Sequence, residues 1–161
     1  MIHKVIYVDP AGCTGCRDCE TACSLRHAGM RKSARTRIQV VGAGEDGFHL
    51  PTVCQQCVDP PCMAVCPSGA IRRDRQMERV VIDKELCIGC KMCVSACPMG
   101  AMGFDPDLGR AYKCDLCDGD PQCVKACRTG ALAYTEDHTL HHHRIHESAC
   151  KLYSVVRMQA A

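Results

Sequence analysis

Apolar positions in this chain fall in short, separated runs, and most predict small strands closed by tight turns. Residues 3–8 alternate and are rich in β-branched side chains, which predicts a strand. Glu20 to His27 can continue as a helix. Ile38 to Val41 reads as a second strand, and Gly42-Ala43-Gly44-Glu45-Asp46-Gly47 follows it. Those glycines formally match G-x-G-x-x-G. However, Phe48-His49-Leu50-Pro51 is extended and proline-stopped where a phosphate-binding helix would begin, so the stretch predicts a β-hairpin turn. Further hairpins are expected from Ile71 back through Arg79-Val80-Val81-Ile82-Asp83, and beyond Met102 with Asp105-Pro106-Asp107 and Gly109 in the turn. From Thr135 the pattern changes. Glu136 and Asp137 suit the start of a helix, Lys151 and Arg157 suit its end, and Ile145, Ala149, Leu152 and Val156 recur at helical spacing.

These runs do not add up to a core. Leu, Ile, Val and Phe make up under a fifth of the 161 residues, a level at which chains struggle to fold unaided. Trp is absent, and there are only four Tyr and two Phe. Cysteine fills the gap with 17 residues, so something held by those sulfurs has to replace the missing apolar interior.

The cysteines fall in four groups of four. The third, Cys87-x2-Cys90-x2-Cys93-x3-Cys97-Pro98, is the thiolate run that holds iron–sulfur clusters in bacterial-type ferredoxins. Three closely spaced thiolates wrap one cluster, while the fourth, carried onward by a short helical turn, ligates a neighbouring one. The first group, Cys13-x2-Cys16-x2-Cys19-x3-Cys23, keeps that spacing but has Ser24 in place of proline. The second, Cys54-x2-Cys57-x4-Cys62-x3-Cys66-Pro67, gains a turn at Asp59-Pro60-Pro61. The fourth, Cys114-x2-Cys117-x5-Cys123-x3-Cys127, is followed by Arg128. Cys66-Pro67-Ser68-Gly69-Ala70-Ile71, Cys97-Pro98-Met99-Gly100-Ala101-Met102 and Cys127-Arg128-Thr129-Gly130-Ala131-Leu132 are three copies of C-[PR]-x-G-A-hydrophobic, an internal repeat. A disulfide scaffold would need a secreted chain, and the N-terminus has no long apolar stretch and no small-residue cleavage site. Structural zinc uses well-separated cysteine pairs instead of packed groups of four. Four [4Fe–4S] clusters are therefore expected.

Four such groups in so short a chain resemble the iron–sulfur electron-transfer subunits of the DMSO reductase and formate dehydrogenase type, over residues 3–134. The resemblance implies an α+β fold of two pseudo-symmetric ferredoxin-like modules with short hairpins, in which groups two and three share an inner module (about 50–105). Groups one and four share an outer module (about 1–49 and 106–134), and a helical extension occupies 135–161. Carried onto this chain, it assigns one cluster to Cys54, Cys57, Cys62 and Cys97, and its mate to Cys87, Cys90, Cys93 and Cys66. It assigns the other two to Cys13, Cys16, Cys19 and Cys127, and to Cys114, Cys117, Cys123 and Cys23. Pairing group one with two, and three with four, is disfavoured because groups two and three with the hairpin between them already form a complete two-cluster unit. The chain also looks like the compact polyferredoxin subunits of tungsten-dependent aldehyde oxidoreductases, with similar chains accompanying carbon monoxide dehydrogenases and class II benzoyl-CoA reductases.

The resulting expectation is a one-electron relay with no catalytic residues of its own. It would connect a catalytic tungsten or molybdenum subunit with a flavin subunit, a ferredoxin or further copies of itself. A free carrier, or a scaffold linked through the C-terminal helix, are the rival readings. The basic stretch Arg26 to Arg37 reads as a solvated loop or a docking face for an acidic partner. Without aromatic stacking residues it does not suggest nucleic acid. The formal charge of +2 would fall to about −6 with four clusters bound. His138, His142 and His146 read as a solvated face, and Cys150 as a buried thiol that is not a ligand. No apolar run is long enough to span a membrane, and a cytoplasmic location is expected.

Overall fold

The computed structural model describes residues 3–29, 35–43 and 47–136. Eight strands form four separate two-stranded antiparallel ribbons. They are β1 (Lys4–Val8) with β8 (Leu132–Glu136), β2 (Ile38–Ala43) with β3 (Phe48–Val53), β4 (Ile71–Asp74) with β5 (Arg79–Ile82), and β6 (Gly103–Asp105) with β7 (Arg110–Tyr112). The helices are α1 (Asp18–Ala28), α2 (Pro61–Ala64), α3 (Met92–Ala96) and α4 (Gln122–Ala126). The expected strands and hairpins are present among the described residues, and Gly42 and Ala43 pair with His49 and Phe48 of β3, so no phosphate-binding helix begins at Phe48.

Local chemistry explains the turns. In the β6–β7 turn the Asp105 carboxylate accepts from the amides of Asp107 (3.0 Å) and Leu108 (3.2 Å), and Gly109 adopts a positive φ of 63°. In each copy of the internal repeat the glycine is left-handed, with φ of 66° at Gly69, 60° at Gly100 and 72° at Gly130. Its amide donates to the carbonyl of the cysteine three residues earlier. The repeat is thus one turn used three times.

The chain is nested. β1 pairs with β8 in the register Ile6↔Tyr134, bringing the two ends of the described chain together around what lies between. α1 packs on α4, and α2 packs on α3. Two buried clusters result. One contains Ile6, Ile38, Val40, Val53, Leu116 and Leu132 together with Cys19, Cys23, Cys114 and Cys123. The other contains only Ile71, Val80, Met102 and Ala111 with Cys62 and Cys93. A fully buried side chain of the Val, Ile or Met kind contributes about 1.5–3 kcal/mol, while each ordered residue loses about 1–2 kcal/mol of backbone entropy. Such thin cores cannot hold their surroundings by hydrophobic burial alone.

Three details depart from the expected layout. The boundary placed near 49/50 cuts through the β2–β3 hairpin, whose Val53 packs in the first core, because a paired ribbon is buried as a unit. The boundary near 105/106 cuts through the β6–β7 hairpin in the same way, and Ala111 belongs to the second core. Thr135 and Glu136 lie in β8, where they pair with Val5 and Lys4 instead of opening a helix. The remainder of the helical extension, with His138, His142, His146 and Cys150, lies outside the described residues.

Three described residues of the basic stretch form ion pairs within the chain. Arg35 pairs with Asp105 (3.4 Å) and Asp107 of the β6–β7 turn, and Arg37 pairs with Asp115. Arg26 reaches Asp118 at 3.6 Å. These pairs tie the loop ahead of β2 to the second half of the chain. They replace the expectation of a purely solvated loop for these three residues.

Glycine substitutions separate backbone strain from close approach. A Cβ at Gly89 (φ 72°) would meet the Gly109 carbonyl oxygen at 2.3 Å, whereas one at Gly130 (φ 72°) meets nothing within 4 Å. Gly130→Ala is expected to lose only the left-handed penalty of about 1–2 kcal/mol, and Gly89→Ala distinctly more. Thermal unfolding of the two variants, compared at equal cofactor content, checks the order.

Candidate iron–sulfur centres

Each cysteine group is built by a turn followed by a helix, of eleven residues in the first group and four or five in the others. In the first and third groups the turn is the same. Gly15 and Gly89 have positive φ (71° and 72°), and Arg17 and Lys91 are left-handed (61° and 63°) as N-caps of α1 and α3. These paired left-handed residues curl the loop so that Cys13, Cys16 and Cys19, or Cys87, Cys90 and Cys93, come around one space. The fourth group uses a run of positive φ at Leu116, Cys117 and Asp118 instead. The Asp115 carboxylate secures that run by accepting from the Cys117 amide at 3.0 Å.

The sulfurs converge in sets. One cavity is lined by Cys54, Cys57, Cys62 and Cys97. A second is lined by Cys66, Cys87, Cys90 and Cys93, with Ser68, Ala70 and Ile71 beside them. The last cysteine of group two has therefore crossed to group three, and the last of group three to group two. In the outer half Cys19 feels the charge of Cys16 and Cys127, while Cys123 feels Cys114, Cys23, Cys117 and also Cys19. Cys13 packs against the core that contains Cys19. The structure thus places Cys54, Cys57, Cys62 and Cys97 around one cavity and Cys66, Cys87, Cys90 and Cys93 around another, while the outer cysteines gather around one buried cluster. Among the described residues all sixteen are free thiols, and none is in a disulfide.

The electrostatics favour a positively charged occupant. Burial pushes the Cys19 and Cys114 thiols up to about 12, and it also raises Cys23, Cys62, Cys93, Cys117 and Cys123 above the ordinary thiol value. A buried thiolate here needs a cation beside it, which iron supplies. Cys66 and Cys127 differ. Burial again raises them, but the Ser68 hydroxyl with the amides of Ile71, Ala70 and Ser68 outweighs it at Cys66. The Thr129 hydroxyl with the amides of Leu132, Ala131 and Thr129 does the same at Cys127, so both thiols lie below the ordinary value. Both hydroxyls stand 3.7 Å from sulfur. In these two copies the repeat supplies donors to its own sulfur as well as a turn. Further sulfur contacts come from the Arg37 amide to Cys23 (3.2 Å) and the Leu116 amide to Cys114 (3.4 Å). The His27 Nε2 lies 3.5 Å from the Cys117 sulfur. Sets of four convergent thiols, shielded and surrounded by amide donors, fit iron–sulfur clusters as a donor set.

His27, Gln56 and Lys113 stand among these sulfurs without any spacing signal that could have flagged them. Their approach depends on ribbons that are distant in sequence.

The shared fold and thiol sets define a class, iron–sulfur proteins of ferredoxin type, and sequence comparison agrees. Residues 46–137 match the 4Fe-4S dicluster domain and residues 10–30 a 4Fe-4S binding domain. The chain belongs to the 4Fe-4S dicluster domain family. It is 41% identical over 116 residues to the NADH-dependent phenylglyoxylate dehydrogenase subunit beta of Aromatoleum evansii, covering 70% of this chain and 26% of that one. It is 43% identical over 108 residues to the electron transport protein HydN of Escherichia coli (strain K12), covering 63% of this chain and 59% of HydN. It thus spans between about a quarter and three-fifths of these relatives. Among solved structures, it resembles a chain of the active site complex BamBC of benzoyl coenzyme A reductase with bound benzoyl-CoA. The TM-score is 0.51 and the identity 30%, over 84% of this chain and 81% of that one. Among the described residues no helix is long and apolar enough to cross a membrane.

Because cysteines supply so much of both cores, removing iron with a chelator under anaerobic conditions is expected to abolish the tertiary fold. Loss of the near-UV circular dichroism signal on iron removal checks this. A native-like spectrum in the iron-free chain would contradict it.

Proposed function

We propose that this chain is the four-cluster electron relay of an oxidoreductase complex, holding its clusters in the nested assignment. One set is Cys54, Cys57, Cys62 and Cys97, and its mate is Cys66, Cys87, Cys90 and Cys93. The outer sets are Cys13, Cys16, Cys19 and Cys127, and Cys23, Cys114, Cys117 and Cys123. The observation that carries the reading is the exchange of Cys66 and Cys97 between the two inner cavities. It is the arrangement in which adjacent clusters share short helices. When bound, each cluster supplies a one-electron couple. The chain's own work is to hold the sulfurs at fixed places, to present amide and hydroxyl donors to them, and to exclude water from the more buried sets.

The role as a subunit draws support from the relatives, a dehydrogenase subunit and an electron transport protein. Electrons would pass between a catalytic tungsten or molybdenum subunit and a flavin subunit, ferredoxin or further copy. An aldehyde oxidoreductase is the first partner proposed, on the absence of long insertions between the cysteine groups. The likeness to the BamBC complex favours a second reading, in which the partner is a reductase of the benzoyl-CoA type.

Anaerobic purification with bound partners, followed by iron, sulfide, tungsten and molybdenum analysis and an EPR reductive titration, tests both levels. About sixteen irons per chain with interacting reduced clusters are expected. Four zincs and no EPR signal would end the relay reading, and aldehyde or benzoyl-CoA turnover by the complex would separate the two partner classes.

Single substitutions test the assignment. Cys93→Ala is expected to remove up to about four irons per chain, since one cubane loses a ligand. Cys150→Ala should leave the iron content unchanged. Equal iron loss in both variants would refute the assignment of Cys150 as a non-ligand.

A further inference from the structure

Lys113 follows β7 and precedes Cys114, and it is only 4% exposed. Its Nζ meets three acceptors: the Cys114 carbonyl at 2.8 Å, the Gln56 Oε1 at 3.3 Å, and the Val80 carbonyl. A neutral amine has two N–H groups, so three acceptors around one nitrogen call for the ammonium form. Gln56 is fully buried and holds the arrangement in place. Its Oε1 also accepts from the Val80 amide (2.9 Å), and its Nε2 donates to the Cys114 carbonyl (2.9 Å).

Among the described residues no carboxylate pairs with Lys113, although twelve ion pairs form elsewhere. A buried ammonium without an anion is strongly disfavoured. Cysteine sulfurs lie near it on two sides. Lys113 lines the cavity of Cys54, Cys57, Cys62 and Cys97, and it is bonded to the backbone of Cys114 in the outer half. Cys54 packs against the buried cluster that contains Cys114, so the two sulfur sets are neighbours at this junction.

We propose that Lys113 is a positioning residue that serves as the shared counter-ion of two clusters, the one on Cys54, Cys57, Cys62 and Cys97 and the one on Cys23, Cys114, Cys117 and Cys123. A fixed positive charge between them favours the reduced form of both, because reduction adds one negative charge to a cluster. The lysine therefore raises both potentials together and marks the point where an electron crosses between the inner and outer halves. This inference rests on the four-cluster assignment above.

The test is an EPR-monitored reductive titration of the full chain with dithionite as electron donor. In Lys113→Met, at an ambient potential equal to the wild-type midpoint, the reduced-to-oxidised ratio of two clusters is expected to fall about tenfold. For a one-electron couple that is about 59 mV. The other two clusters should shift far less, with sixteen irons retained as in the wild type. Gln56→Glu, which keeps the lysine but gives it a carboxylate partner, should lower the same two clusters. Lys113→Arg, which keeps the charge, should restore the wild-type pattern more nearly than Met. Unmoved potentials in an iron-replete Lys113→Met chain would overturn the proposal, as would equal shifts in all four clusters. Loss of irons from both the Met and the Glu variants would assign the pair to holding the fold, and would overturn it equally. A wild-type chain without sixteen irons would instead sink the four-cluster assignment, which separates the two failures.

Discussion

The constraint on which the structure depends is that sulfur replaces hydrocarbon in its interior. Helices of four or five residues such as α2, α3 and α4 lie far below the length at which a helix sustains itself in water. Two-stranded ribbons are marginal for the same reason. Each of these three helices carries a buried cysteine, Cys62, Cys93 and Cys123 in turn. The local geometry is consequently extravagant in left-handed residues, including Arg17, Gln56, Lys91, Leu116 and Cys117, which a chain held by ordinary packing would avoid. A cluster-bound fold can tolerate this strain because several ligands over-determine each loop.

Sulfur in place of hydrocarbon changes the electrostatic problem as well. Burial drives the thiols towards their neutral form, so the folded chain and its metal are coupled through charge. The surrounding basic residues answer that coupling at different distances. Arg35, Arg37 and Arg79 are tied to carboxylates and join separate ribbons, whereas Lys113 is tied to carbonyls only and keeps its charge for its sulfur neighbours. The polar groups that touch sulfur directly are mostly backbone amides and the hydroxyls of Ser68 and Thr129. They are fixed by the repeat turn, and their placement survives changes elsewhere on the surface.

The spacing of the cysteines made most of this legible from sequence, because ligand geometry translates directly into residue intervals. The strands were legible for a different reason. Alternation in residues 3–8 and the glycine and aspartate turns at Gly109 and Asp105 are local signals, and local interactions decide those elements. What sequence did not reveal is non-local. Gln56 lies inside a C-x2-C loop and looks like filler, yet it is fully buried because β5 and the Cys114 segment close over it. Arg35 and Arg37 looked like a solvated loop because their partners, Asp105, Asp107 and Asp115, lie far along the chain. The expected module boundaries fall within hairpins for a related reason. Cysteine groups mark the sites, but burial follows whole hairpins, and β2–β3 and β6–β7 each serve both halves.

Nesting also orders the assembly of the molecule. Groups two and three, with the β4–β5 hairpin between them, are contiguous in sequence, so their sulfurs meet after closure of short loops. The outer half needs β1 to find β8 and α1 to find α4 across nearly the whole described chain. Loop-closure entropy grows only slowly with length, but it falls further if the intervening segment is already compact. Once the inner half is ordered, the residues flanking it are held close together and the outer sulfur sets require only the remaining short tethers. Lys113 and Gln56 lie where those tethers leave the inner half.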